Sequence, residues 1–479
     1  MDRDYRLGFS ALEREVEIER VPVEGAVPGW LSGTLIRNGP GTWDAGEKKL
    51  QHWFDGLAML HRFGFRNGSV SYSNRFLDSP QRRYLEERGE IGYSEFATDP
   101  CRSIFKRFSS LLSSPEFGAN ASVSVHKLDE RFVALTETPL PVEFDPETLA
   151  TAGVVRFEDD LDIIGSSPHP HTDPATGDYI NHATHVSRNP AYNFFRVRPG
   201  GLHREVLASI PAREPAYMHS FGQSEHHVIL VEYPLVANFI KMLLTGRPYA
   251  ENLRWKADRP ARFHVIDKQT GELTGAYATD PFFCFHHVNS FERDGDLFVD
   301  LLAYPDAAVI EDFYMDVLRD PECAVASAAV AELRRYRIGM DPAKRSSLLE
   351  YEVLSEEPME MPRINERYTT RSYRYAYGIG VSREGRGEWL DQLVKADVVE
   401  RTSRTWYAGD CYPGEPVFVA SPEAREEDDG VVLSVVLDAA AGDSFLLVLD
   451  AASFEEIARA RVPHHIPFGF HGEHFGEAG

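Results

Sequence analysis

Four histidines sit in separate apolar, strand-like segments of this chain: His169 in SSPHPHTDP, His219 in AYMHSFGQ, His286 in FFCFHHVNSFE and His471 in IPFGFHGEHF. None has the short spacing of a zinc finger or of a helical metal motif. Residues this far apart meet only if the fold carries distant strands to a common axis. Neutral imidazole suits zinc, copper, iron and nickel, and an all-imidazole set leaves a divalent ion its full positive charge. That combination points to metal-based oxygen chemistry on a β-propeller. A lone histidine in a strand is nevertheless more often a hydrogen-bonded core or surface residue than a ligand, and the chain has 18. His171, His226, His227, His287, His464 and His465 stand near enough to the four to compete for their roles.

A metal-bound histidine normally passes its second ring N–H to a carboxylate or carbonyl. Three glutamates lie in apolar surroundings where a solvated charge is unexpected: Glu137 in VALTETPLP, Glu360 in PMEMPRIN and Glu415 in YPGEPVFVA. By residue type alone each reads as a surface or loop carboxylate. The chain has no G-x-S-x-G, no Walker loop and no H-E-x-x-H, so no other catalytic constellation competes.

The elements that would position these residues are short. FRNGSVSYS, DERFVALTE, HHVILVEYP and RDGDLFVDLLAY fit strand, turn or hairpin signals. EFDPETLATAGV, HVIDKQTGELTGA and LVLDAASFEEIARARV share one shape, an apolar strand, then Asp shortly before Thr or Ser, then another strand. Short polar side chains that bond nearby backbone favour such turns. This weak repeat favours a propeller, with a pair of β-sandwiches as the alternative. Two stretches read as amphipathic helices. CRSIFKRFSSLLSS carries Ile104, Phe105, Phe108, Leu111 and Leu112, and PLVANFIKMLLTGRPY carries Leu235, Val236, Phe239, Ile240 and Leu243. Either they cover sheet ends or, with their basic neighbours, they form a peripheral membrane patch.

Composition removes several classes. Of 479 residues 43% are hydrophobic and 26% charged, and the net charge of −25 argues against a nucleic-acid partner. Four cysteines without a C-x-x-C pair read as reduced thiols. MDRDYRLGFSALEREVE lacks a signal-peptide pattern, so a cytoplasmic location is expected. The N-x-S sites at Asn67 and Asn120 then read as a turn and a strand edge. No apolar run reaches the roughly 18 residues of a membrane span.

The motifs HWFDGLAMLHRF, HPHTDP, YMHSFG, FHHVNSFE, MEMPRIN, EPVFV, EEDDGVVLSVVLD and PFGFHG, in this order, resemble the blocks of the carotenoid cleavage oxygenase family. The resemblance runs from GWLSGTLIRNGPG to the C-terminal GFHGEHF. RNGPG and DPCRSIFKRF are similar to the branch holding the animal β-carotene cleavage enzymes and the retinal pigment epithelium retinoid isomerase.

The resemblance implies an all-β, seven-bladed propeller with a helical cap over the metal face, as one domain over residues 1–479. It places the four ligands of one Fe(II) per chain on His169, His219, His286 and His471, the first histidine of each doublet. It puts Glu137, Glu360 and Glu415 behind His219, His286 and His471, and Thr136 where similar enzymes partly shield an open iron position. Dioxygen is the implied co-substrate. The implied reaction is cleavage of a carotenoid or apocarotenoid double bond to aldehydes, with central 15,15′ cleavage to retinal from likeness to the animal branch. Tyr217 and Phe285, close to ligands, are expected to line an apolar tunnel or to pack in the core. A retinoid-ester isomerase is the alternative on the same ligands. A stilbene-cleaving enzyme fits less well, because Thr136 stands where a phenol-contacting Lys is expected. The non-enzyme alternative is a propeller that has lost its metal.

Overall fold

Strand segments rich in apolar residues, several buried along nearly their whole length, build seven antiparallel sheets of four to six strands arranged as the blades of a propeller. In this computed structural model the described residues are 4–46, 48–99, 119–186, 188–238, 247–320, 323, 329–340, 348–385 and 387–476. Blade 1 joins Val16–Ile18, Gly33–Thr42, Leu57–Arg66 and Ser69–Phe76 to the C-terminal strand Gly472–Phe475. Blade 2 runs from Ser124–Leu128 to Thr151–Val154, and blade 3 from Gly165–Ser166 to Arg204–Pro211. Blade 4 spans Gly222–Gln223 to Leu273–Thr279, blade 5 His287–Arg293 to Tyr351–Val353, and blade 6 Glu360–Ile364 to Thr402–Tyr407. Blade 7 runs from Cys411–Pro413 to Glu456–Val462 and takes its last strand, Val23–Gly25, from the N-terminal region.

The two ends of the chain therefore close the ring twice. Arg37 lies opposite Gly472 within blade 1, and Val23 opposite Ala460 within blade 7. Closure of the ring leaves only short, protected edges around the axis, which limits the hazard of an open sheet.

The repeated Asp–Thr/Ser shape is a turn between the third and fourth strands of a blade. Asp145 Oδ1 accepts from Thr148 N and Oγ1, both at 2.8 Å. Asp267 does the same for Thr270 at 2.7 and 3.0 Å, and Asp450 for Ser453 at 2.8 and 2.9 Å. The residue four beyond each Asp then takes a left-handed backbone: Leu149, Gly271 and Phe454, with φ of 57°, 71° and 64°. Asp397 builds the same turn in blade 6, capping Val399 N and Glu400 N and turning at Arg401 with φ 57°. That blade lacks the Thr or Ser, so its turn escapes the sequence pattern.

Short helices cap one face. Trp53–Asp55 is the central one: His52 Nδ1 accepts from Phe54 N, and Asp55 Oδ2 accepts from His52 N, both at 3.2 Å. Asp55 also takes Thr98 Oγ1 at 2.6 Å and Ala97 N at 3.0 Å. Burial raises its carboxyl to about 6 in spite of these donors. The cap fixes Trp53 and Phe54 over the propeller axis.

The expected second helix is corrected. Leu235–Ala237 is a buried strand paired with Leu253–Trp255. Its other edge holds the segment leading to His219, through Tyr217 N to Leu235 O at 2.8 Å and Ala237 N to Pro215 O at 2.9 Å. Backbone bonded along both edges cannot also be helical. Leu235 and Val236 consequently face the core and not a membrane. Ile104, Phe105, Phe108, Leu111, Leu112, Phe239, Ile240 and Leu243 lie outside the described residues. Among the described residues no helix is long and apolar enough to cross a membrane. Asn67 does sit in a turn, with φ 50°. Asn120 is buried, bonding Ala58 N and Gly56 O, and is not a strand edge.

Candidate metal centre

The inner strands meet around the propeller axis, and the loops at one end of them carry the site. Serine hydroxyls tie successive blades together there. Ser124 Oγ donates to Pro168 O, Ser167 Oγ to His219 O and Ser220 Oγ to Phe285 O, at 2.5, 2.6 and 2.6 Å. His471 N donates to Val123 O at 3.1 Å, which joins blade 1 to blade 2. Each blade sends one residue toward the centre: Glu137 from blade 2, His169 from 3, His219 from 4, His286 from 5, Glu360 from 6, Glu415 from 7 and His471 from 1.

The four histidines that the sequence singles out come together, with one nitrogen of each within 4.8 Å of the others. His219, His286 and His471 are buried and His169 is half-buried. Three rings turn their Nδ1 to a glutamate: His219 to Glu137 at 2.7 Å, His286 to Glu360 at 2.5 Å and His471 to Glu415 at 2.8 Å. These are the pairings expected above. Among the described residues His169 has no such carboxylate, and its backbone N–H is held by Ser167 Oγ at 3.0 Å.

A carboxylate on Nδ1 fixes the proton there and leaves Nε2 as the lone-pair atom. Yet the Nε2 atoms of His286 and His471 stand 3.1 Å apart, and those of His169 and His219 3.0 Å. Burial brings His471 down to about 4, and burial with the other imidazoles holds His169 well below the usual range. Protons are therefore disfavoured exactly where the lone pairs converge on one another. A metal cation is the species that fits this donor set.

Each glutamate has a further donor behind it. Tyr217 OH donates to Glu137, Tyr304 OH to Glu360 at 2.9 Å, and the Arg37 guanidinium to Glu415. Glu360 also takes Met361 N at 2.6 Å and Glu415 takes Gly472 N at 2.9 Å. Burial alone would raise Glu415, but Arg363, His471 and Arg37 outweigh it and bring the carboxyl to about 2. At Glu360 burial is likewise outweighed, chiefly by His286, and the carboxyl falls below its ordinary value.

Arg37 and Tyr304 were missed by sequence reasoning. Tyr304, in DLLAYPD, carries no signal. Arg37 is a lone charge in GTLIRNGPG, and a charge in an otherwise buried strand is such a signal. Thr136 follows the strand Arg131–Leu135 and is half-buried beside Glu137. Among the described residues it makes no hydrogen bond to the imidazoles. Tyr217 and Phe285 divide the role expected of them: Phe285 lines the pocket beside the imidazoles, whereas Tyr217 turns its hydroxyl to Glu137. Of the competing histidines, His171 bonds Phe221 O at 3.0 Å, His287 faces Ser220 Oγ at 2.9 Å and His227 faces Glu292 at 2.9 Å.

Two cavities meet at the imidazoles. On the cap side Phe54, Phe285, Phe313 and Phe470 form an apolar pocket with His219, His286 and His471. Phe54 stacks at 6.3 Å from His219, and Phe285 meets that ring edge-on at 5.5 Å. On the opposite side a polar cavity of about 340 Å³ reaches His169, His286 and His471.

The family model described as retinal pigment epithelial membrane protein matches residues 9–476. The chain is 34% identical to a mitochondrial carotenoid-cleaving dioxygenase of Mustela putorius furo, covering 97% of this chain and 95% of that relative. It is also 34% identical to the beta,beta-carotene 15,15'-dioxygenase of Rattus norvegicus, covering 98% and 91%. Among solved structures, a cobalt-substituted Synechocystis apocarotenoid oxygenase superimposes with a TM-score of 0.85 at 25% identity, covering 99% of each chain. A chimera of that oxygenase with the retinal pigment epithelium protein gives 0.86 at 26%, again over 99% of each.

Proposed function

The chain belongs to the carotenoid oxygenase family, and from that premise we propose that it is an Fe(II)-dependent dioxygenase cleaving a conjugated double bond of a carotenoid or apocarotenoid to two aldehydes. We read residues 1–479 as one domain. The observation that carries the reading is the convergence of four imidazole nitrogens, all within 4.8 Å of one another, beside an aromatic pocket. His169, His219, His286 and His471 would hold one iron. What ferrous iron supplies when bound is the activation of dioxygen, through positions that four protein donors leave open.

The protein's own part is positioning. Glu137, Glu360 and Glu415 keep the Nδ1 protons and so aim each Nε2 inward. Phe54, Phe285, Phe313 and Phe470 offer π faces to a polyene and keep bulk water from the reacting carbons. One C=C bond is replaced by two C=O bonds, and both atoms of one O₂ end in the products. The balance consumes no proton and needs no external reductant, so it asks for no acid or base from the protein. Thr136 is assigned to the iron's surroundings on the family pattern alone. Central 15,15′ cleavage to retinal is supported by likeness to the rat enzyme.

Under ¹⁸O₂, β-carotene or an apocarotenal should give aldehydes that each carry one labelled oxygen when trapped before exchange with water. Label in only one product, the other oxygen coming from water, would exclude a dioxygenase. Retinyl ester converted to an isomerised alcohol, with no aldehyde from any carotenoid, would move the assignment to the isomerase.

We also propose peripheral membrane association through Ile104, Phe105, Phe108, Leu111 and Leu112, supported by their apolar spacing among basic residues and by a substrate that dissolves in lipid. Binding to anionic vesicles should weaken with salt. Phe105→Ser with Leu112→Ser should reduce co-sedimentation with those vesicles, and equal recovery of parent and variant would remove this reading.

A further inference from the structure

The polar cavity opposite the aromatic pocket is unused by the reaction. Thr172, Pro174 and Glu366 along its wall are exposed, the Glu366 side chain by 65%, and they mark its solvent end. The inner end is formed by His169, His286 and His471 themselves. Between lie Gln223, 2% exposed, and Ser290, fully buried, and among the described residues the amide atoms of one, the hydroxyl of the other and His287 Nε2 have no hydrogen-bond partner. The cavity, at about 340 Å³, has room for several waters. The wall carries the carboxyl groups of Glu366, Glu415 and Glu473 and one guanidinium. That guanidinium, Arg363, is set among all three at 3.6, 4.0 and 3.9 Å.

Of the two cavities described, one suits the passage of a hydrated divalent cation to the imidazoles far better than the other. The aromatic pocket would strip its water and give nothing in return. The polar cavity offers water, neutral imidazole and carboxylate, the ligand types such an ion exchanges among. We propose that the axial cavity is the route by which the metal is loaded, with Glu366 drawing the ion to the mouth and His169, His286 and His471 taking it up at the inner end. This rests on the metal reading of the four histidines.

The test is the rate of Co²⁺ uptake by chelator-treated protein, followed by visible absorption, with the final stoichiometry measured separately. Thr172→Trp, which narrows the mouth at an exposed position, should slow uptake by roughly 10-fold or more, the scale on which a focusing cleft speeds association. Glu366→Gln should slow it several-fold and flatten its dependence on ionic strength. Both variants should reach the parent's final Co²⁺ content. An apocarotenal, held in the aromatic pocket, should leave the rate unchanged. Parent rates and parent salt dependence in both variants would overturn the route, as would uptake slowed by the apocarotenal alone. A parent protein that binds no Co²⁺ at equilibrium would instead overturn the metal reading itself.

Discussion

Replacing His286 with alanine should remove iron and cleavage activity together, whereas His287→Ala should keep both near the parent level. His287 opens the strand His287–Arg293 and His286 is the residue just before it, and the two side chains take different partners. His286 directs Nε2 to within 3.1 Å of His471 and gives Nδ1 to Glu360. His287 directs Nδ1 to Ser220 and lies along the axial cavity. Truncating His286 would delete a metal donor and leave Glu360 buried without its partner, a loss of about 3–5 kcal/mol if the carboxylate stays charged. Activity should therefore fall by more than the roughly 10–100-fold typical of residues behind a metal ligand. Iron content by elemental analysis and turnover of an apocarotenal are the measurements. Iron retained in His286→Ala and lost in His287→Ala would show that the wrong member of the doublet had been assigned.

The carboxylates should rank in a definite order. Glu137→Gln, Glu360→Gln and Glu415→Gln should each weaken iron binding or turnover by roughly 10–100-fold, with Glu415→Gln the most severe and Glu137→Gln the mildest. Glu137 is 24% exposed in its side chain and its second donor is a neutral phenol. Glu415 is 1% exposed and bears the Arg37 guanidinium, itself only 7% exposed. Neutralising Glu415 strands that cation in the interior, which should lower thermal stability as well as iron affinity. Adding Arg37→Met to Glu415→Gln should then recover part of the stability without recovering the iron, because the two effects have separate causes. Equal iron content and turnover in all three single variants would make these glutamates ordinary structural residues.

The turn chemistry of the blades was legible in local residues. Asp followed by Thr or Ser dictates the hydrogen bonds at Asp145, Asp267 and Asp450 without reference to the rest of the chain, because donor and acceptor are three residues apart. The expected helix over Leu235 and Val236 failed for the converse reason. Apolar residues at helical spacing also suit a strand buried on both faces, and the deciding partners, Trp255 and Ala216, are remote in sequence.

The chemistry of the site divides in the same way. Imidazoles in apolar strands and carboxylates where solvent is excluded are properties of residue type and neighbours, so His169, His219, His286, His471, Glu137, Glu360 and Glu415 could be named as candidates from the chain alone. Their choice among 18 histidines came from likeness to a family. Who faces whom was decided by closure of the ring. Arg37 meets Glu415 across 378 residues, and His286 meets His471 across 185, because blade 1 is completed by the C-terminal strand and blade 7 by an N-terminal one. A contact of that range has no local energetic trace. It exists only once seven sheets, each indifferent to the metal, are bent around one axis and each delivers a single side chain to the centre.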